Sequence, residues 1–197
     1  MQIKSLLAGF FALSILGACS ETLSQKDIVI NNVTIIDAAT PIRSARSVVI
    51  RDDKIFAINS ALSGHNTTTP NVIDASGQYL IPGLWDMHVH FLYEPQLTEQ
   101  MADLFLHYGV TSVRDTGGNL GELAALRRRL TERSQPSPQI YFSGPLLDGE
   151  FVVYDGSDPT RPALGVDVAD KTTAEARVKH LKDAGADLIK IYELVQP

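Results

Sequence analysis

The chain has 197 residues, 17 basic and 23 acidic side chains, a formal net charge of −6 and one cysteine. A single thiol excludes an intramolecular disulfide and a cysteine-only metal cage, and the acidic balance argues against a protein that grips nucleic acid. With 44% hydrophobic and 20% charged residues the composition is that of a globular protein, with room for one good core or two small ones.

In chain order the first element is a leader. Lys4 supplies the charge of a short n-region, Leu6 to Leu16 is apolar or small throughout, and Leu16-Gly17-Ala18-Cys19 follows at once. The run is too short for a membrane span, which takes about 20 apolar residues, and residues 1–18 read as a secretory signal. The four residues at its end resemble a bacterial lipobox, in which the cysteine is lipidated and becomes the new N-terminus. An ordinary signal peptide with a chance cysteine is the alternative. The lipobox reading makes Cys19 the lipidation site and the membrane a partner through that anchor. It places the protein in the bacterial cell envelope, periplasmic or at the outer membrane, the latter suggested by Ser20.

Residues 19–27 form a polar tether. Over 28–81 three β-branched pairs follow, Ile28–Ile30 with Val33–Ile36, Val48–Ile50 with Ile55–Ile58, and Val72–Asp74 with Tyr79–Ile81. Asn, Asp and Gly punctuate them, so they read as hairpins of a small antiparallel sheet. The polar stretch Asn59–Asn71 reads as a loop, and His65 within it as a solvated side chain.

From Pro82 the rhythm changes to strands alternating with helices. Strands are expected over Leu84–His90, Val110–Arg114, Gln139–Ser143 and Asp187–Tyr192, and helices over Leu97–Tyr108, Leu120–Arg133 and Thr172–Ala184. That alternation implies right-handed βαβ units and a parallel sheet. Arg127-Arg128-Arg129 reads as a solvated helix face, because the rest of the chain is acidic. The Gly144–Asp170 insertion is long enough to be a lid or binding loop.

Two features bear on chemistry. In Asp86-Met87-His88-Val89-His90, residues two apart share a strand face, so Asp86, His88 and His90 project together. Two imidazoles on a strand end make half of a site for zinc or a similar ion, which a carboxylate could support; a surface or packing pair is the alternative. The location favours the metal reading, since reactive groups of parallel α/β proteins collect at the carboxyl ends of strands. The second feature is Lys190. A lysine within an otherwise apolar parallel strand needs a partner or a job, and pairing with Asp115 or Asp86, or snorkelling to the sheet's edge, would satisfy it structurally.

Taken together, Pro82-Gly83-Leu84-Trp85-Asp86-Met87-His88-Val89-His90, Val110-Thr111-Ser112-Val113-Arg114-Asp115-Thr116-Gly117-Gly118 and Asp187-Leu188-Ile189-Lys190-Ile191-Tyr192 resemble the amidohydrolase superfamily. Within it the chain is most similar to the imidazolonepropionase-like and Xaa-Pro dipeptidase (prolidase)-like group. The resemblance implies an α/β fold, a partial (β/α)8 TIM barrel of about four strands over 82–197, preceded over 28–81 by strands of a small β-sandwich. It implies one or two divalent metals, usually Zn2+, with His88 and His90 as ligands. Lys190 would be the catalytic, metal-bridging lysine, carrying a carbamate derived from CO2. A lysine forms a carbamate only as the neutral amine, a form that desolvation beside cations favours. Tyr192, two residues on and on the same face, reads as a substrate contact or a barrel-layer aromatic, and Arg114 with Asp115 reads as a structural charge pair at the mouth of strand two.

The activity implied is hydrolysis of C–N bonds in a small amide, cyclic amide or dipeptide. The family's further ligands come from later strands. His107 and His180 sit in helices and suit surface or packing roles instead. The chain therefore reads as an N-terminal fragment incomplete for catalysis on its own, with a non-catalytic envelope lipoprotein that keeps a barrel remnant as the alternative.

Overall fold

A burial alternation of period two runs from Val29 through Asn31 and Val33 to Ile35, and it makes one strand of two expected ones. This strand, β1 (Ile28–Ile35), absorbs Asn31-Asn32 as a bulge rather than a turn: Asn32 is left-handed at φ 59° and the pairing register slips between Ile30 and Val33. In this computed structural model, which describes residues 23–60 and 71–195, the chain divides at Ile81/Pro82 into two compact units. The leader, Cys19 and His65 lie outside the described residues. Among the described residues no helix is long and apolar enough to cross a membrane.

In the first unit β1 pairs antiparallel with β2 (Arg43–Arg51), and β2 with β3 (Lys54–Ser60). The expected β2–β3 hairpin is present. Its turn residues Asp52 and Asp53 both adopt positive φ, 48° and 61°, the twist that matches a two-residue hairpin. The third expected hairpin is not one. β4 (Val72–Asp74) and β5 (Tyr79–Leu80) run the same way, each parallel to β1, because the turn between them only offsets the chain. Val33, Ile35, Val48 and Ala75 form the core of this sheet. The buried Asp27 carboxylate receives Nε and Nη2 of Arg51 at 2.8 and 2.7 Å. Those bonds, with the Ser24 backbone N–H, hold its pKa down at about 2.

The second unit is built on a parallel sheet ordered β6 (Leu84–Val89), β7 (Val110–Asp115), β8 (Gln139–Phe142). The helices α1 (Thr98–His107), α2 (Leu120–Glu132) and α3 (Lys171–Asp183) agree with the sequence pattern to within one residue at either end. Asn119 caps α2 by accepting from the Glu122 N–H at 3.1 Å, and Asp170 caps α3 through Thr173 at 2.7 Å. Val89, Phe91, Val113, Ile140 and Phe142 pack with Ala102, Leu123, Leu126 and Leu130 into the main core.

The insertion after β8 is itself folded. β9 (Leu146–Asp148) and β10 (Gly165–Asp167) pair in parallel, and Leu147 packs with Val168 and Leu181 in a second core. The strand expected over Asp187–Tyr192 does not form. This segment runs beside β8 and β9 and makes a single bridge, Leu147 with Ile191. The reason lies in its neighbour. Gly144 is left-handed at φ 74° and Pro145 has no N–H, so the ladder that starts with Asp187 N–H on the Phe142 carbonyl (2.9 Å) is broken before it resumes at Leu147. Ile189 packs against the second core, whereas Ile191 is 66% exposed.

Candidate metal centre

β6 ends where Val89 enters the core, and the two histidines flank that residue. His88 is exposed and His90 half-buried, and their Nε2 atoms lie 3.3 Å apart. Two nitrogens held at about 2.0–2.1 Å from one tetrahedral ion are separated by about 3.3–3.4 Å, so the pair already has the spacing of a tetrahedron's edge. The same separation suits a proton on His88 Nε2 shared with His90.

The tautomer of His90 follows from its other nitrogen. Nδ1 lies 3.1 Å from the Gly117 carbonyl, which can only accept, so Nδ1 carries the proton and Nε2 presents its lone pair. His88 is held below the ordinary histidine pKa, first by desolvation and then by the charges of His90, Lys190 and Arg114, with Asp86 pulling the other way. His88 is thereby suited to be a neutral donor.

The expected triad of Asp86, His88 and His90 is only partly assembled. Asp86 uses Oδ1 to accept the His88 backbone N–H at 3.0 Å, and the β6–β7 register slips between Asp86 and Val89. The carboxylate thus shapes the strand end rather than the imidazoles. Nor do Arg114 and Asp115 pair with each other. Arg114 Nε donates to the Met87 carbonyl at 2.7 Å, while Asp115, fully buried, accepts from the Phe91 and Gly117 N–H groups at 2.7 and 3.0 Å. Burial pushes the Asp115 pKa up against those two hydrogen bonds.

Lys190 is half-buried, and its charge bears on His88. Among the described residues its ammonium has no carboxylate within ion-pair distance, so neither Asp115 nor Asp86 serves as its partner. Its main chain is tied to β9: the Leu147 N–H donates to the Lys190 carbonyl and the Tyr192 N–H to the Leu147 carbonyl, both at 2.8 Å. Tyr192 packs edge to face on Tyr154 of the insertion, ring centres 5.9 Å apart. Among the described residues no cluster of three His, Cys, Asp or Glu side chains is present, so His88 and His90 stand as a pair of donors.

Sequence reading missed one buried carboxylate. Asp148, 1% exposed at the end of β9, accepts three backbone N–H groups at 2.9 Å each, from Gly149, Val153 and Leu194. It joins the insertion to the segment that carries Lys190. The signal was an aspartate that ends an apolar run and precedes a glycine, a pattern of side-chain-to-backbone turns. Sequence reading also left Arg127 on a solvated face. It donates to Asp187 at 2.7 Å and lies over the Phe142 ring at 4.2 Å, anchoring the start of the same segment.

No family model matches the chain. The adenine deaminase of Desulforamulus reducens is 29% identical over 150 residues, covering 74% of this chain and 24% of that protein. The crystal structure of a Xaa-Pro dipeptidase with methionine in its active site superposes with a TM-score of 0.67 at 25% identity, over 84% of this chain and 46% of that one. A crystal structure of an amidohydrolase gives a TM-score of 0.62 at 24% identity over the same 84% and 46%. The chain therefore spans less than half the length of the proteins it matches. Likeness in sequence to a deaminase and in fold to a dipeptidase, in a chain that pairs two histidines at a strand end, supports the amidohydrolase superfamily as its place.

Proposed function

We propose that this chain supplies one half of the active site of a metal-dependent hydrolase of C–N bonds, with a small amide, cyclic amide or dipeptide as substrate. The observation that carries the reading is the 3.3 Å separation of the two Nε2 atoms, with the His90 lone pair aimed at His88 by the Gly117 carbonyl. Support comes from the relatives, a deaminase in sequence and a dipeptidase in fold, whose names describe cleavage of C–N bonds.

On this reading His88 and His90 would be ligands of Zn2+, and Lys190, carboxylated by CO2, would be the bridging oxygen donor if two ions bind. The ion, when bound, would polarise the scissile carbonyl and activate the attacking water. This chain's own contribution is geometric. β6 fixes the imidazole spacing, the Gly117 carbonyl fixes the orientation of the His90 ring, and β9 sets the height of Lys190 along the sheet. Tyr192, backed by Tyr154, stands against the substrate. The second unit is read as the first strands of a (β/α)8 barrel and the first unit as part of a β-sandwich, with the remaining metal donors drawn from strands that these residues do not include.

Calorimetric titration with Zn2+ tests the metal reading. Binding to the wild-type chain should disappear in His88→Ala and His90→Ala, and hydrolysis by the gene product that carries this chain should fall at least a hundredfold in Lys190→Ala. Zn2+ binding that survives loss of both histidines would sink the assignment and leave the non-catalytic reading. The lipobox motif supports a further part of the proposal, attachment to the bacterial envelope through Cys19. Cys19→Ser should move the protein from the membrane to the soluble fraction of fractionated cells; unchanged membrane association refutes the anchor.

A further inference from the structure

We propose that Asp115 is a positioning residue for His90, acting through the Gly117 carbonyl to keep the imidazole proton on Nδ1 and the lone pair on Nε2. The functional meaning of this rests on the reading of His90 as a metal ligand; the geometry does not.

Asp115 closes β7, in register with Phe142 of β8, and its side chain is fully buried. A carboxylate in such surroundings is tolerable only when its oxygens are engaged, and both are. Oδ2 receives the N–H of Phe91, the residue after His90, at 2.7 Å. Oδ1 receives the N–H of Gly117 at 3.0 Å, and the carbonyl of that same glycine takes the His90 Nδ1–H at 3.1 Å. One side chain thus holds the main chain beside His90 and the loop that His90 leans on. The loop is braced further by Thr116 N–H on the Val89 carbonyl and Gly118 N–H on the Gly144 carbonyl, at 3.0 and 3.1 Å.

The ring also sits close enough to the loop that a side chain there would have to push it or Leu146 aside. A Cβ on Gly117 would lie 3.1 Å from His90 Cε1 and 3.0 Å from Leu146 Cδ2. Glycine at 117 lets the carbonyl reach the imidazole directly. An imidazole without such a partner distributes its proton over both nitrogens, and a ligand in the wrong tautomer must exchange it before binding an ion. Asparagine cannot replace Asp115: with both oxygens committed to N–H donors, an amide NH2 would face one of them.

The test is 15N NMR of the histidine-labelled full chain, free of metal, at about pH 8. Wild-type His90 should show a protonated Nδ1 and an unprotonated Nε2. Asp115→Asn should turn this into a mixture of tautomers and weaken Zn2+ binding by about 10- to 100-fold. Gly117→Ala, which displaces the loop without touching the carboxylate, should do the same and serves if Asp115→Asn does not fold. A core truncation such as Leu126→Ala lowers the melting temperature without moving the His90 signals, which separates positioning from loss of stability.

Wild-type His90 protonated on Nε2, or tautomer signals unchanged in folded Asp115→Asn or Gly117→Ala, overturns the proposal. A tautomer shift in a chain whose wild type binds no Zn2+ upholds it and refutes the metal reading instead.

Discussion

The two pieces of chain that carry the candidate site are held in different ways. His88 and His90 end a strand that is paired with β7 and whose Val89 is in the main core. Lys190 lies in a segment with one ladder bridge, fixed instead by side chains: Asp148 on the Leu194 N–H, Arg127 on Asp187, and Asp187 on the Phe142 N–H. The histidine end is thus set by regular secondary structure with one carboxylate added. The lysine end is set mainly by carboxylates that replace a broken ladder. A site residue does not need a strand if buried acceptors satisfy the backbone around it.

Asp148→Ala should break this contrast most strongly. It leaves three N–H groups without their acceptor, at roughly 1 kcal/mol each, or about 3 kcal/mol in urea unfolding. Hydrogen exchange should show the loss locally, with the amides of Leu147, Tyr192 and Leu194 deprotected while those of β6, β7 and β8 keep their protection. If the three amides stay protected, the segment has another support and the contrast is wrong.

A smaller effect sharpens the other side. Burial raises the Asp115 pKa, so the folded protein holds this proton more tightly than the unfolded chain does, and the contribution to stability falls as pH rises from about 4 through the folded value. Stability measured against pH should show that negative contribution, and Asp115→Asn should remove it. An identical pH profile in wild type and variant would mean that the carboxylate is no more easily protonated in the fold than in the unfolded chain.

Much of this was legible in the sequence because it is periodic or local. The helices announced themselves by spacing and caps, the β2–β3 turn by Asp52-Asp53, and the paired imidazoles by a spacing of two. What escaped was set by partners distant in the chain. Asn31-Asn32 has turn composition, yet the period-two burial on either side keeps β1 continuous. Asp187–Tyr192 has the composition of a strand, and nothing in it reveals that Gly144-Pro145 has removed its neighbour's ladder. Asp115 looked like half of a charge pair with Arg114, and Asp148 drew no reading at all. Their task, collecting backbone N–H groups from two or three segments, becomes visible only when those segments meet.

The broken ladder also has a consequence for the order of assembly. Asp148 and Leu194 are 46 residues apart, and their hydrogen bond needs both the insertion and α3 to be in place first. Closing so long a loop for one bridge and a few side-chain contacts gives little return until the β6–β7–β8 core exists to receive it. The lysine end should therefore dock last in folding and let go first in unfolding, which would leave the histidine pair in place before Lys190 arrives.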